Sequence, residues 1–151
     1  MKTVVQRVRQ ASVTVEGTVI AAIESGLLLL VGVEKGDSEA DADTTARKIA
    51  ALRIFEGRTP MDRTLAEIQG ACLVVSQFTL CASLAKGNRP SFEPAEEPRR
   101  AEALYLRVAD QLRAAGLPVS TGKFGADMQV ALINDGPVTF LVTTTDGALI
   151  K

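Results

Sequence analysis

The stretch "GLLLLVGVE", residues 26–34, constrains the fold of this chain more than any other segment. Successive side chains of a strand point to opposite faces, so an unbroken apolar run of this kind reads as a strand buried on both sides. The segments before it are strands of another sort. Residues 3–15 set Val4, Gln6, Val8 and Gln10 against Val5, Arg7, Arg9 and Ala11, then turn Val13 and Val15 inward. Period two marks a half-buried strand. Gly17-Thr18 supplies a turn and "VIAAIE" the next strand, so three consecutive strands favour a meander.

The spacing then becomes helical. "KGDSEADADTTARKIAALRIF" puts Ala42, Ala46, Ile49 and Ala50 on one side, with acidic residues in the first turns where the helix dipole favours them, and predicts a helix ending near Leu52. From Ala95 to Ala115 a second helix is predicted: Ala101, Leu104, Val108, Leu112 and Ala115 line one face, Pro98 suits a first turn and Gly116 an end cap. Between them lie a polar loop or irregular hairpin over 56–70, a strand "ACLVVSQFTLCA" that is strongly β-forming from Leu73 to Leu80, and a basic loop "SLAKGNRPSFEP". Strands broken by Gly122, Gly125 and Asp135-Gly136-Pro137 close the chain. With 151 residues, 46% of them hydrophobic, the chain can bury one real core. The predicted fold is a single α+β domain over residues 1–151, a mostly antiparallel, barrel-like sheet with two helices packed outside.

Composition narrows the chemistry. There is no histidine, which removes Ser-His-Asp and Cys-His arrangements and imidazole as metal ligand or proton shuttle. A formal net charge of −1 lacks the basic footprint of a protein that grips a long duplex by its phosphates, while short or end-directed contacts remain open. The N-terminal "MKTVVQRVRQASV" reads as a strand rather than a signal peptide, and no apolar run approaches the ~20 residues of a membrane span. Cys72 and Cys81 read as reduced thiols, and two sulfurs alone make no zinc site. The expected location is cytoplasmic, with no metal, no cofactor and no membrane.

Four stretches remain as candidates. Ser76, Gln77 and Thr79 lie at the end of an apolar strand, either as its solvent face or as part of a site. A hydroxyl nucleophile there needs a base, and only Lys86 and Lys123 are near candidates. "KGNRPSF", with Lys86, Arg89 and Phe92, is either a solvated basic loop or a place to hold a phosphate or stack a base. Phe124 sits between glycines, as core or as an exposed aromatic, and "NDGPVT" at 134–139 is a turn or a functional tip.

Taken together, "SQFTL", "KGNRPSF", "GKFGADMQV" and "NDGPVT", in this order behind "VVQRV" and "ASVTV", closely resemble the D-aminoacyl-tRNA deacylase (D-tyrosyl-tRNA deacylase) family from residue 1 to about 145. The resemblance implies a homodimer with active sites at the subunit interface. It also implies that the substrate is aminoacyl-tRNA and that the ester between a D-amino acid, or glycine, and the 3' terminal adenosine is hydrolysed. It further implies a cis Gly136-Pro137 bond that reaches into the partner's pocket as a chiral filter, which makes "NDGPVT" a tip more than a turn. Backbone amides at Phe78 and Thr79 become the oxyanion donors, with Gln77 beside them and catalysis assisted by the RNA's own ribose hydroxyl. By the same resemblance Ser76 and Gln77 would line the aminoacyl end, Phe124 would contact the adenine, and Met128, Arg7 and Asn134 would support the site; independently of it, Lys86 and Arg89 are expected to attract the tRNA backbone. The chain departs from the family at Cys81, where many members carry Tyr, and at Met61-Asp62-Arg63-Thr64, where the usual pattern is closer to Met-Asn-x-Ser.

Overall fold

The structure, a computed structural model, describes residues 1–150. Its chain order is β1 (Lys2–Val15), β2 (Thr18–Ile23), β3 (Gly26–Gly32), α1 (Glu39–Ala51), β4 (Ala71–Ser76), a 3-10 turn (Phe78–Cys81), α2 (Pro98–Ala114), β5 (Val119–Thr121), β6 (Gln129–Thr145) and β7 (Ala148–Ile150). The strands make one curled sheet in the order β5-β4-β3-β1-β6-β7, with β2 also paired to β1.

β1 is the spine. At about 3.4 Å per residue a strand of this length reaches roughly 48 Å, enough to carry two shorter strands end to end. β3 pairs antiparallel with Lys2 to Val8, and β2 pairs antiparallel with Ala11 to Val15. The expected meander is therefore not formed: β2 and β3 run in series along β1 rather than side by side. β6 lines the other edge of β1, antiparallel from Lys2↔Thr143 to Thr14↔Gln129. β4 and β5 extend the sheet in parallel beyond β3, and each parallel step is bridged by a helix, α1 between β3 and β4 and α2 between β4 and β5. Parallel neighbours require such crossovers, which is why the two helices share one face of the sheet.

The apolar run of β3 divides between two cores. Leu27, Leu29 and Val31 pack with Val5, Cys72 and Val74 beneath Ile49, Leu104, Tyr105, Val108 and Leu112 of the helices. Leu28 faces the other way, onto the opposite side of the sheet with Val8, Val13, Ile23, Leu73 and Val75. Leu27, Leu28 and Leu29 are all completely buried, as an uninterrupted apolar strand requires. Helix α1 begins where Ser38 donates its backbone N–H to Asp41, and α2 where Glu97 accepts from the amides of Arg99 and Arg100, with Pro98 in the first turn.

The predicted strand through Leu80 stops at Ser76. Gln77 N–H makes the last ladder bond, to the Val31 carbonyl at 2.7 Å, and the chain then coils into the 3-10 turn. The buried Cys81 thiol donates to the Val33 carbonyl at 3.3 Å, so packing at the end of β3 overrides the β propensity of Phe78 and Thr79.

Two tests follow from this packing. A Cβ on Gly26 would lie 1.9 Å from the Ala71 carbonyl oxygen, where β3 meets β4. Gly26→Ala is expected to lower unfolding free energy by about 3 kcal/mol or more in urea titrations, since backbone rather than a flexible side chain must give way. The Arg107 guanidinium, at 2.7 and 2.9 Å from Asp43, joins α2 to α1 and holds the Asp43 carboxyl below its ordinary value. A depressed folded value adds stability above the unfolded value and loses it as pH falls through the folded one. Asp43→Asn should therefore lower the thermal midpoint slightly at neutral pH, with the gap closing well below pH ~4.

Candidate active site

The end of β4 and the 3-10 turn form one wall of a pocket of about 500 Å³. Ser76, Gln77 and Phe78 line it together with Phe124, Met128, Val33, and Pro98 and Ala101 of α2. The bonds of the turn begin with Leu80 N–H to the Gln77 carbonyl at 3.2 Å, so the amides of Phe78 and Thr79 stand ahead of the turn's own ladder. Gln77 donates its side-chain amide to the Thr79 hydroxyl, which leaves the hydroxyl proton directed elsewhere. Phe124 is half-buried and leans on Tyr105, ring centroids 6.1 Å apart, so it belongs to both the core and the pocket. Met128 packs against the second core from the same wall.

Lys86 and Arg89 lie elsewhere. They sit on an exposed loop pinched by reciprocal backbone bonds between Ser83 and Ser91, 2.8 and 3.0 Å, and neither lines the pocket. A second pocket of about 430 Å³, bounded by Gln10–Ser12, Ala22–Glu24 and Ala131–Ile133, holds none of the candidate site residues.

The "NDGPVT" segment is neither a hairpin nor a strand break. β6 runs through it, but Gln6 faces Thr139 and Val8 faces Asn134, so Arg7 alone stands opposite residues 135–138. The Gly136-Pro137 peptide is cis and both residues are exposed, making a solvent-facing bulge in an otherwise continuous strand. Asn134 closes the bulge from within. Its side-chain oxygen accepts from Val138 N–H at 2.8 Å and its amide donates to the Thr139 hydroxyl at 2.9 Å. Arg7 holds it from across the ladder, donating Nε to the Asp135 carbonyl at 2.8 Å and Nη1 to the Ile54 carbonyl at 2.6 Å. Gly136 has φ +150°, and a Cβ there would lie 2.6 Å from a Val138 methyl and 2.8 Å from the Val138 nitrogen, so only glycine fits. None of these residues lines the pocket of the same chain. The pocket and the bulge, both parts of the expected site, are thus separate within the chain.

The family model described as D-Tyr-tRNA(Tyr) deacylase matches residues 4–143. The chain belongs to that family. It is 54% identical over 149 residues to a D-aminoacyl-tRNA deacylase of Paracoccus denitrificans (strain Pd 1222), covering 98% of this chain and 100% of the relative. Another of that name, from Thermomicrobium roseum, is 52% identical over 147 residues, covering 97% of this chain and 96% of the relative. Among solved structures, a c-Myc DNA Unwinding Element Binding Protein superposes with a TM-score of 0.89 at 42% identity, covering 95% of this chain and 99% of its own. A probable eukaryotic D-amino acid tRNA deacylase shares the fold, with a TM-score of 0.79 at 16% identity over 93% of this chain and 97% of its own.

This member of the deacylase family carries no activated nucleophile in its pocket. Burial pushes the Cys81 thiol up to about 11 and the Cys72 thiol up to about 12, so both are protonated at neutral pH. Among the described residues no lysine or carboxylate bonds the Thr79 hydroxyl, and no group of histidine, cysteine or acidic side chains could hold a metal ion.

Sequence reasoning missed three parts of this geometry. One is the Ile54 carbonyl under Arg7, 47 positions away. Another is the pair of acidic residues, Glu96 and Asp127, on the pocket wall. The third is the edge-on contact of Phe78 with Phe92, for which the only sequence signal was the aromatic ending "KGNRPSF".

Asn134→Ala should leave the bulge without its internal partners. The expected cost is about 1 kcal/mol in equilibrium unfolding, with amide exchange of Val138 accelerated more than that of Val142 in the same strand.

Proposed function

We propose that two copies of this chain pair through the outer face of β6, each delivering its Gly136-Pro137 bulge into the other's pocket to complete a chiral deacylase site. Membership of the family makes the chain a D-aminoacyl-tRNA deacylase, a hydrolase acting on aminoacyl-tRNA. The observation that carries the finer proposal is the exposed cis bulge, braced by Arg7 and Asn134 yet remote from its own pocket. Apolar side chains left in solvent flank it on β6, with Ile133 49%, Phe140 41% and Leu141 63% exposed. A surface of that kind belongs against another surface.

In the proposed site the 3' terminal adenine rests against Phe124 and Met128, with the aminoacyl end between Ser76 and Gln77. The partner's Gly136 and Pro137 carbonyls receive the substrate ammonium and leave no room for an L side chain, so D-residues and glycine enter. Discrimination by backbone leaves the D side chain unspecified, which suits a proofreading enzyme that meets many amino acids. The ester is already activated, and the neighbouring ribose hydroxyl of the substrate assists the attacking water. Alignment of this kind contributes roughly 7–11 kcal/mol, and each amide donor to the developing oxyanion about 3–4 kcal/mol. Phe78 and Thr79 N–H are the donors proposed. Lys86 and Arg89 attract the tRNA backbone, so rates should fall as salt rises. The protein is proposed to act in the cytoplasm. Among the described residues no helix is long and apolar enough to cross a membrane.

The deciding assay is release of amino acid from D-tyrosyl-tRNA and L-tyrosyl-tRNA by the purified protein with chelator present. The expected outcome is rapid, multiple-turnover release from the D ester alone. Equal release from both esters would remove the filter from Gly136-Pro137. Retention of nucleic acid without turnover would favour a binding protein, the reading raised by the name of the 42%-identical DNA unwinding element binding protein.

A further inference from the structure

The 3-10 turn that carries the Phe78 and Thr79 amides is held unequally at its two ends. Its inner end is locked: Cys81 is buried and bonded to the Val33 carbonyl, and Leu80 and Cys81 press so closely on Gly32 that a Cβ there would lie 3.0–3.1 Å from them. Its outer end is open. Phe78 is 55% exposed, and the only aromatic ring it meets among the described residues is that of Phe92, with centroids 5.1 Å apart and planes at 62°. Edge-to-face contacts of this geometry have a preferred orientation, so they fix direction as well as proximity.

Phe92 is itself anchored by backbone on both sides. The Ser83–Ser91 bonds close the loop immediately before it. After it, the Phe92 carbonyl accepts from Ala95 N–H at 3.0 Å, the Pro94 carbonyl accepts from Lys35 N–H at 2.9 Å, and Glu96 N–H donates to the Val33 carbonyl at 3.0 Å. The segment is therefore pinned to the end of β3, the same place that holds Cys81. The backbone at Phe92 is thus held in place, and its ring, in a residue 41% exposed, is presented to Phe78.

We infer that Phe92 is a positioning residue for the deacylation: through its ring it holds Phe78, and with it the two amides at the head of the turn, in the orientation that meets the reacting ester. This rests on the assignment of those amides as oxyanion donors proposed above. Phe92 touches no reacting atom in this arrangement. Its loss should loosen the donors in the transition state more than it weakens ground-state binding, which lowers kcat and leaves KM nearly unchanged.

The test is steady-state and single-turnover hydrolysis of D-tyrosyl-tRNA by the whole protein, comparing wild type, Phe92→Ala, Phe92→Tyr, Phe78→Ala and the double Phe78→Ala/Phe92→Ala variant. Phe92→Ala is expected to lower kcat on the order of tenfold, the upper end of what one edge-to-face pair supports, with KM within about twofold. Phe92→Tyr keeps the ring and should restore most of the rate. In the Phe78→Ala background, removal of Phe92 should cost almost nothing more, because the effect travels through Phe78. If Phe92→Ala fails to fold by circular dichroism, Phe92→Leu carries the same comparison at closer volume. Multiplicative losses in the double variant, or a raised KM with kcat intact as for a residue that stacks a base of the tRNA, would overturn the inference while leaving the deacylase assignment standing. A wild-type protein that releases nothing from the D ester would instead remove the assignment on which it rests.

Discussion

Backbone pairing along both edges of β1 governs where everything else in this protein can lie. One edge carries β3 and then β2 in series, and the other carries β6 over nearly the whole length. Once β3 is fixed there, β4 and β5 follow in parallel with their crossover helices, and the end of β4 is delivered to the pocket. The same spine sets the position of the cis bulge, because the register of β1 with β6 shifts between Gln6 and Val8, opposite residues 135–138, and again between Val8 and Gln10. A strand that pairs on both sides fixes the end of β4 and the bulge of β6 relative to one another.

That rigidity suits chemistry done by placement. The pocket contains no histidine, no acidified thiol and no metal-binding cluster among the described residues. The site proposed above would act through oriented dipoles, whose value depends on their being held before the substrate arrives. The bracing agrees with that demand. Arg7 reaches two carbonyls from different segments, Asn134 spans its own bulge, and the 3-10 turn is packed onto Gly32. Where a catalytic side chain could tolerate some motion and still transfer a proton, a backbone amide displaced by about 1 Å loses much of its effect.

Much of the scaffold was legible from residues alone. The run at Leu27–Leu29 demanded burial on both faces and has it, and the stripe Ala101, Leu104, Val108, Leu112 predicted the face that α2 buries. The failures fall where short-range preference met long-range packing. Phe78 and Thr79 are good strand residues, yet they coil because Cys81 is drawn under the end of β3. The Asp-Gly-Pro triplet looked like a break, yet Asn134 and Arg7 let β6 continue through it as a bulge. Three consecutive strands suggested a meander, but β1 is long enough to hold both of its successors on one edge.

Residue order alone thus specifies most of the strands and helices, which faces are apolar, that imidazole chemistry is absent, and which motifs mark the family. These are properties of neighbours along the chain, where periodicity and residue type act directly. Only the tertiary structure decided that the pocket and the cis bulge are separated within one chain, that Ile54 supports Arg7, and that Phe92 meets Phe78. Those relations join residues far apart in sequence, and they arise from the register of β1 with its partners and the packing at the end of β3, which no local pattern encodes.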